Sequence, residues 1–194
     1  MKSVLTVILV SLFAAGAQAQ KETPLPKDLP PYGPQPSFQT PDVKASKLDN
    51  GLMVWLVAQP GLPKVAFRVV LLGGLAADPP GRPGLSELLA RTLNQGTKTR
   101  SARQIAEEIQ AAGGDLGISA SRDSTLVTTT VLSSKTEPAV SLLADVLENA
   151  SFPDNEVALA RRNLSDSLRQ REAQPGFQAN RALARALFGS GPYS

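Results

Sequence analysis

The 194-residue sequence contains neither cysteine nor histidine. Without cysteine, disulfide bonds, thiolate metal sites and a cysteine nucleophile are excluded. Without histidine, the chain lacks the commonest metal ligand and the commonest general base near neutral pH. A Ser-His-Asp triad cannot form within it either. The chain alone therefore cannot form a cysteine-dependent centre, a Ser-His-Asp centre or a metal centre with histidine or cysteine ligands.

Strong charge and long apolar runs are also missing. The 20 Lys and Arg residues against 17 Asp and Glu residues give a formal net charge of only +3. No window carries a run of basic residues, so the sequence has no nucleic-acid-binding footprint. Beyond the N-terminal segment, no apolar run approaches the ~20 residues that span a bilayer. The 42% hydrophobic content is nevertheless enough to bury a globular core.

The N-terminal residues 1–19 have the pattern of a signal peptide. Lys2 supplies the charged region, Val4 to Ala15 are mostly apolar, and Ala17-Gln18-Ala19 matches a small-residue cleavage site. A membrane anchor is the alternative, but this apolar run is too short to span. We therefore expect cleavage before Gln20 and an exported protein, periplasmic in a cell with two membranes.

Residues 20–42 form a proline-rich leader, since seven of the 16 prolines fall between 21 and 41. Proline fixes φ and donates no backbone hydrogen bond, which predicts an extended segment without regular structure. The leader is either a spacer or a docking segment for a partner. A single domain is predicted over residues 43–194.

The hydrophobic pattern of this domain predicts the element order ββααββααα, with order beginning near Lys47 and a turn at Asn50-Gly51. This order suggests an α+β fold, in which a mostly antiparallel sheet is covered by helices. The predicted spans are 52–58, 65–72, 85–93, 101–112, 115–122, 124–132, 134–147, 153–172 and 177–187.

Two helices have the sequence of a capping box, Ser101 with Gln104 and Ser134 with Glu137. The helix after the second box carries an apolar stripe, from which its buried face is predicted. That stripe comprises Val140, Leu143, Ala144 and Leu147.

Residues 84–97, GLSELLARTLNQGT, resemble the signature region of the M16 (insulinase-like) zinc peptidases. In that family a helix carries H-x-x-E-H and ends in a loop with Gly-Thr. Two imidazoles at i and i+4 can reach one zinc ion, and the glutamate takes a proton from zinc-bound water. Aligned without gaps, the two histidines fall on Glu87 and Arg91, and the glutamate falls on Ala90.

The resemblance covers residues 43–194 and implies the N-terminal domain of an M16 peptidase, of the LuxS/MPP-like type. The family's third zinc ligand is a glutamate in a later long helix, and the alignment places Ser167 there, beside Asp166. The final FGSGPYS has Gly191 where the family has histidine. Family members normally continue beyond this point, so the chain looks truncated or like a fragment.

The substitutions predict a domain that does not bind the family's zinc. Arg91 stays protonated, Ala90 offers no proton acceptor, and Glu87 is a single carboxylate. Glu87 and Arg91 instead suit an i, i+4 ion pair. The resemblance implies a non-catalytic subunit that binds a catalytic M16 partner, a peptide substrate or both. The alternatives are an active zinc metalloendopeptidase and a stand-alone periplasmic binding module.

Overall fold

The computed structural model describes Gly33, Ser37, residues 40–59 and residues 61–194. The predicted signal peptide and most of the predicted leader lie outside the described residues. The chain divides into two units, the first ending at Ala58 and the second beginning at Gln59.

The first unit contains an antiparallel hairpin of β1 (Val43–Lys47) and β2 (Met53–Val57). At the predicted turn, the Asn50 side-chain oxygen accepts a hydrogen bond from the backbone N–H of Leu52 at 3.1 Å. The prediction that order begins near Lys47 is wrong, because β1 precedes it. The segment VKASK has weak strand character of its own, and its pairing with β2 makes it a strand.

The second unit contains a three-stranded antiparallel sheet of β3 (Lys64–Leu72), β4 (Leu116–Ala120) and β5 (Ser124–Leu132), in the order β3-β5-β4. β5 is the central strand, and its inward-facing residues are fully buried. Threonine and valine at alternating positions suit a strand that packs on one face. The predicted α+β fold with antiparallel pairing is confirmed.

Five helices accompany this sheet in the described residues, and none of them is long and apolar enough to cross a membrane. They are α1 (Leu85–Thr92), α2 (Ala102–Ala111), α3 (Thr136–Glu148), α4 (Asp154–Glu172) and α5 (Pro175–Phe188). Residues of α2 and α3 pack with the inner face of β5 in one core cluster. The cluster comprises Leu93, Ile105, Ile109, Ala112, Val127, Val131, Ala139, Leu142, Leu143 and Val146.

The first predicted capping box is confirmed. Ser101 Oγ accepts from the Gln104 backbone N–H at 3.3 Å, and Gln104 Oε1 accepts from the Ser101 N–H at 2.8 Å. The second box, Ser134 with Glu137, is wrong. A 3₁₀ turn (Ser133–Lys135) follows β5 directly, so α3 starts after Ser134 and has no side-chain cap.

The predicted buried face of α3 is wrong in part, because Val140 and Ala144 are exposed. This helix is rich in Ala and Leu, so two overlapping stripes with helical spacing compete. The stripe that packs on the sheet also includes a buried carboxylate, Asp145, which an apolar pattern does not predict. The buried residues of α3 are Ala139, Leu142, Leu143, Asp145 and Val146.

The hydroxyl of Thr129 has no hydrogen-bond partner among the described residues, although Thr129 is only 4% exposed. Valine has the same shape without the polar atom. We expect Thr129→Val to raise the free energy of unfolding by about 1 kcal/mol, because leaving a buried polar group unpaired costs ~1–3 kcal/mol. Urea unfolding followed by circular dichroism measures this change.

Thr125→Val is the matched control on the same face of β5. The Thr125 hydroxyl donates to the Gly73 carbonyl at 3.4 Å, so its removal should not stabilise the protein. Equal increases in the free energy of unfolding for both substitutions would show that valine stabilises this strand regardless of the hydroxyl's hydrogen bonding.

Candidate functional site

The first turn of α1 is capped by a residue outside the helix. The Asp78 carboxylate accepts from the backbone N–H groups of Gly84 at 2.6 Å and Ser86 at 2.9 Å, and from Ser86 Oγ at 2.6 Å. Partial burial opposes ionisation, but these hydrogen bonds outweigh it and lower the pKa of Asp78. A negative charge at a helix N-terminus is favourable. Asp78 therefore fixes where α1 begins.

The loop after α1 is held by a second carboxylate, Asp145 of α3. Its Oδ2 accepts from Thr97 Oγ1 at 2.7 Å, Arg100 Nη1 at 2.7 Å and Thr99 Oγ1 at 3.0 Å. Its Oδ1 accepts from Asn149 Nδ2 at 3.1 Å. The hydroxyl of Thr97 and the guanidinium of Arg100 lower the pKa of Asp145 from 3.8 to about 2. The Gly-Thr loop is thus tied to α3 at its threonine.

Between these two anchors, α1 presents the three motif positions. The Glu87 carboxylate Oε1 accepts from Arg91 Nε at 3.0 Å and lies 3.0 Å from Arg91 Nη2, which confirms the predicted i, i+4 ion pair. Both side chains are partly exposed, whereas Ala90 is only 6% exposed. At the positions of the family's metal motif, this chain therefore has the Glu87–Arg91 ion pair and the buried methyl group of Ala90.

The chemistry of these positions does not fit a zinc ion. Catalytic zinc sites use three protein ligands. Arg91 cannot be one, because its guanidinium has no lone pair to donate while protonated, and Ala90 has no ligand atom. Glu87 offers one carboxylate, which already binds Arg91. In the described part of the chain, no group of three or more Asp and Glu residues is placed to hold a metal.

An open cleft of ≈400 Å³ lies beside the motif, between α1, β4 and α4. Its apolar lining comes from all three elements, and its polar lining is dominated by side-chain amides. The apolar members are Ala90, Leu116, Ile118, Leu159 and Ala160. The polar members are Arg91, Asn94, Gln95, Glu156 and Asn163. This combination suits a ligand with small apolar groups and several hydrogen-bonding groups.

One wall of the cleft is an edge strand. β4 pairs only with β5 among the described strands. Ser121 N donates to Ser124 O at 2.7 Å at the end of the hairpin. From that pair, the antiparallel alternation directs the backbone groups of Leu116, Ile118 and Ala120 away from β5. Within the described part of the chain, β4 thus offers unpaired backbone donors and acceptors next to the cleft.

The predicted third-ligand region lies on α4, the helix that packs against α1. Asp166 is exposed and accepts from Arg169 Nη1 at 2.9 Å. Ser167 is half-buried and follows the cleft residue Asn163 by one helical turn. Asn163 of α4 and Arg91 of α1 both line the cleft, while Asp166 and Ser167 do not.

The family model for insulinase, peptidase family M16, matches residues 53–194. The chain belongs to the M16 peptidase family. It is 34% identical over 113 residues to an uncharacterized zinc protease of Rickettsia bellii, covering 58% of this chain and 27% of that protein. It is 27% identical over 148 residues to the uncharacterized zinc protease YmxG of Bacillus subtilis, covering 76% of this chain and 36% of that protein.

Among solved structures, the M16 chain is similar to a Pseudomonas fluorescens protein described as a peptidase M16 inactive domain. The TM-score is 0.74 and the identity 27%, over 78% of this chain and 37% of that one. The chain therefore spans only about a third of the length of the relatives it resembles.

Several residues of the site were not predicted from the sequence. The cap at Asp78, the anchor at Asp145 and the amides Asn94 and Asn163 carry no periodic signal. No local signal marked Asp78, because it lies six residues before Gly84 and not at the N-cap position where acidic caps are expected. The contact between Asp145 and Thr97 spans 48 residues and depends on the fold.

The hydrogen bonds to Asp145 make stability depend on pH. Its pKa is lowered in the folded state, so its contribution is present above pH ~4 and is lost as the pH falls toward 2. We expect Asp145→Asn to lower the midpoint of thermal unfolding at pH 7 and to weaken the decline between pH 4 and 2. Differential scanning calorimetry across this range measures both effects.

Asp166→Asn is the control, since it removes one carboxylate from an exposed ion pair on α4. Exposed ion pairs contribute little to stability, so its unfolding curve should stay close to that of the wild type. If both variants behave alike, the Asp145 network does not anchor the loop.

Proposed function

We propose that this M16 chain is an exported, non-catalytic peptidase-like subunit that binds extended peptides and pairs with a catalytic M16 chain. The observation that carries the proposal is the Glu87–Arg91 ion pair, with Ala90 between them, on the helix that carries the metal motif in the family. Without a zinc-bound water and a glutamate base, the hydrolytic step of the family has no agent here.

The cleft beside α1 supports peptide binding. An extended peptide can add to a free sheet edge, where backbone hydrogen bonds provide affinity and pockets for alternate side chains provide specificity. β4 is such an edge, and the side chains of Leu116 and Ile118 line the cleft. Side chains alternate along a strand, so every second residue of a peptide on β4 would face the cleft. The side-chain amides of Asn94 and Asn163 line the same cleft and supply hydrogen-bonding groups for a peptide.

Pairing and export extend the proposal beyond this domain. M16 family members often act in pairs, which favours a catalytic M16 chain as the partner. The signal-peptide pattern of residues 1–19 supports an exported, periplasmic location. A non-catalytic chain that retains a cleft can contribute to peptide binding in such a pair while its partner supplies the zinc.

Purification of the tagged full chain from the exported fraction of its native cell tests the pairing. We expect a second M16 chain with an intact H-x-x-E-H to co-purify, with one zinc per pair. Intact-mass analysis identifies the chains, and elemental analysis counts the metal. Glu87→Ala should leave the zinc content unchanged, because the zinc belongs to the partner.

One zinc per chain in protein recovered alone, lost in Glu87→Ala, would instead indicate an active metalloenzyme. Recovery alone without zinc would contradict pairing and favour a stand-alone binding module. Recovery only from the cytoplasmic fraction would contradict export.

A substitution that fills the cleft tests peptide binding. Asn163→Trp places a large side chain at the rim, and we expect it to weaken binding of fluorescein-labelled, carboxymethylated insulin B chain at least about tenfold, or ~1.4 kcal/mol. Fluorescence anisotropy measures the Kd. Gln170→Trp is the matched control, exposed on the same helix outside the cleft. Equal affinities for the two variants would show that this peptide binds elsewhere.

A further inference from the structure

The turn between β4 and β5 is held by the loop that follows β3. The backbone N–H groups of this loop donate to carbonyl oxygens of the turn: Gly73 to Asp123 at 3.0 Å, Leu75 to Ser121 at 2.9 Å, and Ala76 to Arg122 at 2.8 Å. All three carbonyls from Ser121 to Asp123 are therefore engaged by one loop. The turn has an ordered hydrogen-bond network although its residues are exposed.

Gly74 shows how closely the loop and the turn approach each other. A Cβ atom at this position would lie 2.3 Å from the carbonyl oxygen of Ser121 and 2.7 Å from the backbone nitrogen of Ser124. Both neighbours are backbone atoms that cannot rotate away, so only glycine fits. This close approach holds the end of β4 against the loop that follows β3.

Tyr193 contacts the same turn, Ser121–Asp123, in three ways. Its hydroxyl donates to the Asp123 carboxylate. Its backbone carbonyl accepts from Arg122 Nη1 at 2.7 Å, and the Arg122 guanidinium lies 5.4 Å from the centre of its ring. A guanidinium within about 6 Å of an aromatic ring is attracted to it. The bond to Asp123 keeps the proton on the phenol and raises the pKa of Tyr193.

Tyr193 is in turn supported by α5. Its ring lies 5.7 Å from the ring of Phe188, the last residue of that helix, in a tilted arrangement. The backbone N–H of Gly191 donates to the Phe188 carbonyl at 3.0 Å, which folds the chain back after the helix. The C-terminal end of α5 thus supports Tyr193 where it contacts the turn.

This junction connects two walls of the cleft. The turn Ser121–Asp123 ends β4, which supplies Leu116 and Ile118 to the cleft. The loop bonded to the turn leads to Asp78, which caps α1 and so sets the position of Ala90 and Arg91. A displacement of the turn would change the distance between these walls.

We infer that Tyr193 is a positioning residue for the peptide-binding edge, holding β4 at the spacing from α1 that an extended peptide requires. This inference rests on the peptide binding proposed above. Tyr193 does not line the cleft, so it acts through Asp123 and Arg122 rather than by touching the peptide. Asp123 is the acceptor on which its hydroxyl depends.

Hydrogen exchange and peptide affinity, measured on the same variants of the full chain, test this role. Tyr193→Phe keeps the ring and removes only the hydroxyl, and Asp123→Asn removes only the charge of its acceptor. We expect each to raise exchange at the amides of Ser121, Leu75 and Ala76 about tenfold and to weaken binding of labelled insulin B chain about fivefold. The amides of Ile105 and Ile109, in the core, should stay unchanged.

The double variant separates a shared contact from two independent effects. If the hydroxyl and the carboxylate act through one hydrogen bond, Tyr193→Phe with Asp123→Asn should change exchange and affinity no more than either substitution alone. Additive effects would overturn the inference, because the two residues would then act separately.

The two readouts also separate the two proposals. Unchanged exchange in Tyr193→Phe would show that the hydroxyl does not hold the turn. Raised exchange with unchanged peptide affinity would show that the turn does not position the peptide-binding edge. If the wild-type chain does not bind the labelled peptide while hydrogen exchange responds as expected, the proposed peptide binding fails. The role of Tyr193 in holding the turn is then still supported.

Discussion

The position of α1 depends on two carboxylates that lie outside it. Asp78 bonds the backbone at the start of the helix, and Asp145 gathers the loop that follows its end. Each is held ionised by several donors, and ionised acceptors make stronger hydrogen bonds than neutral ones. The helix is therefore held at both of its ends. Between them, the motif positions differ from the H-x-x-E-H pattern of the family.

This domain keeps the glycine and Gly-Thr framework of the M16 motif region but not its H-x-x-E-H residues. Gly84 begins α1 with a left-handed backbone, and the hydroxyl of Thr97 donates to Asp145. The three residues that would perform the chemistry are replaced by Glu87, Ala90 and Arg91. The described residues form a cleft lined by apolar side chains and side-chain amides, beside a strand edge that pairs with no other described strand. Such a surface is suited to the binding of an extended peptide, as proposed above.

Local pattern predicted the parts of the fold that local forces determine. The Thr- and Val-rich β5, the capping box at Ser101 and the ion pair of Glu87 with Arg91 all involve neighbours within a few residues. The missed features depend on distant partners. β1 is a strand only because β2 pairs with it, and the buried face of α3 includes Asp145 only because Thr97 and Arg100 reach it.

The same distinction applies to the candidate site. The alignment of residues 84–97 located the motif positions on one helix, but the amides that line the cleft come from the loop after α1 and from α4, which are far apart in sequence. The contact of Tyr193 with Asp123 spans 70 residues. The Glu87–Arg91 pair balances the two charged side chains of α1 within the helix itself. If the domain binds no zinc, as proposed, scarcity or chelation of zinc in the cell would leave the conformation of α1 unaffected.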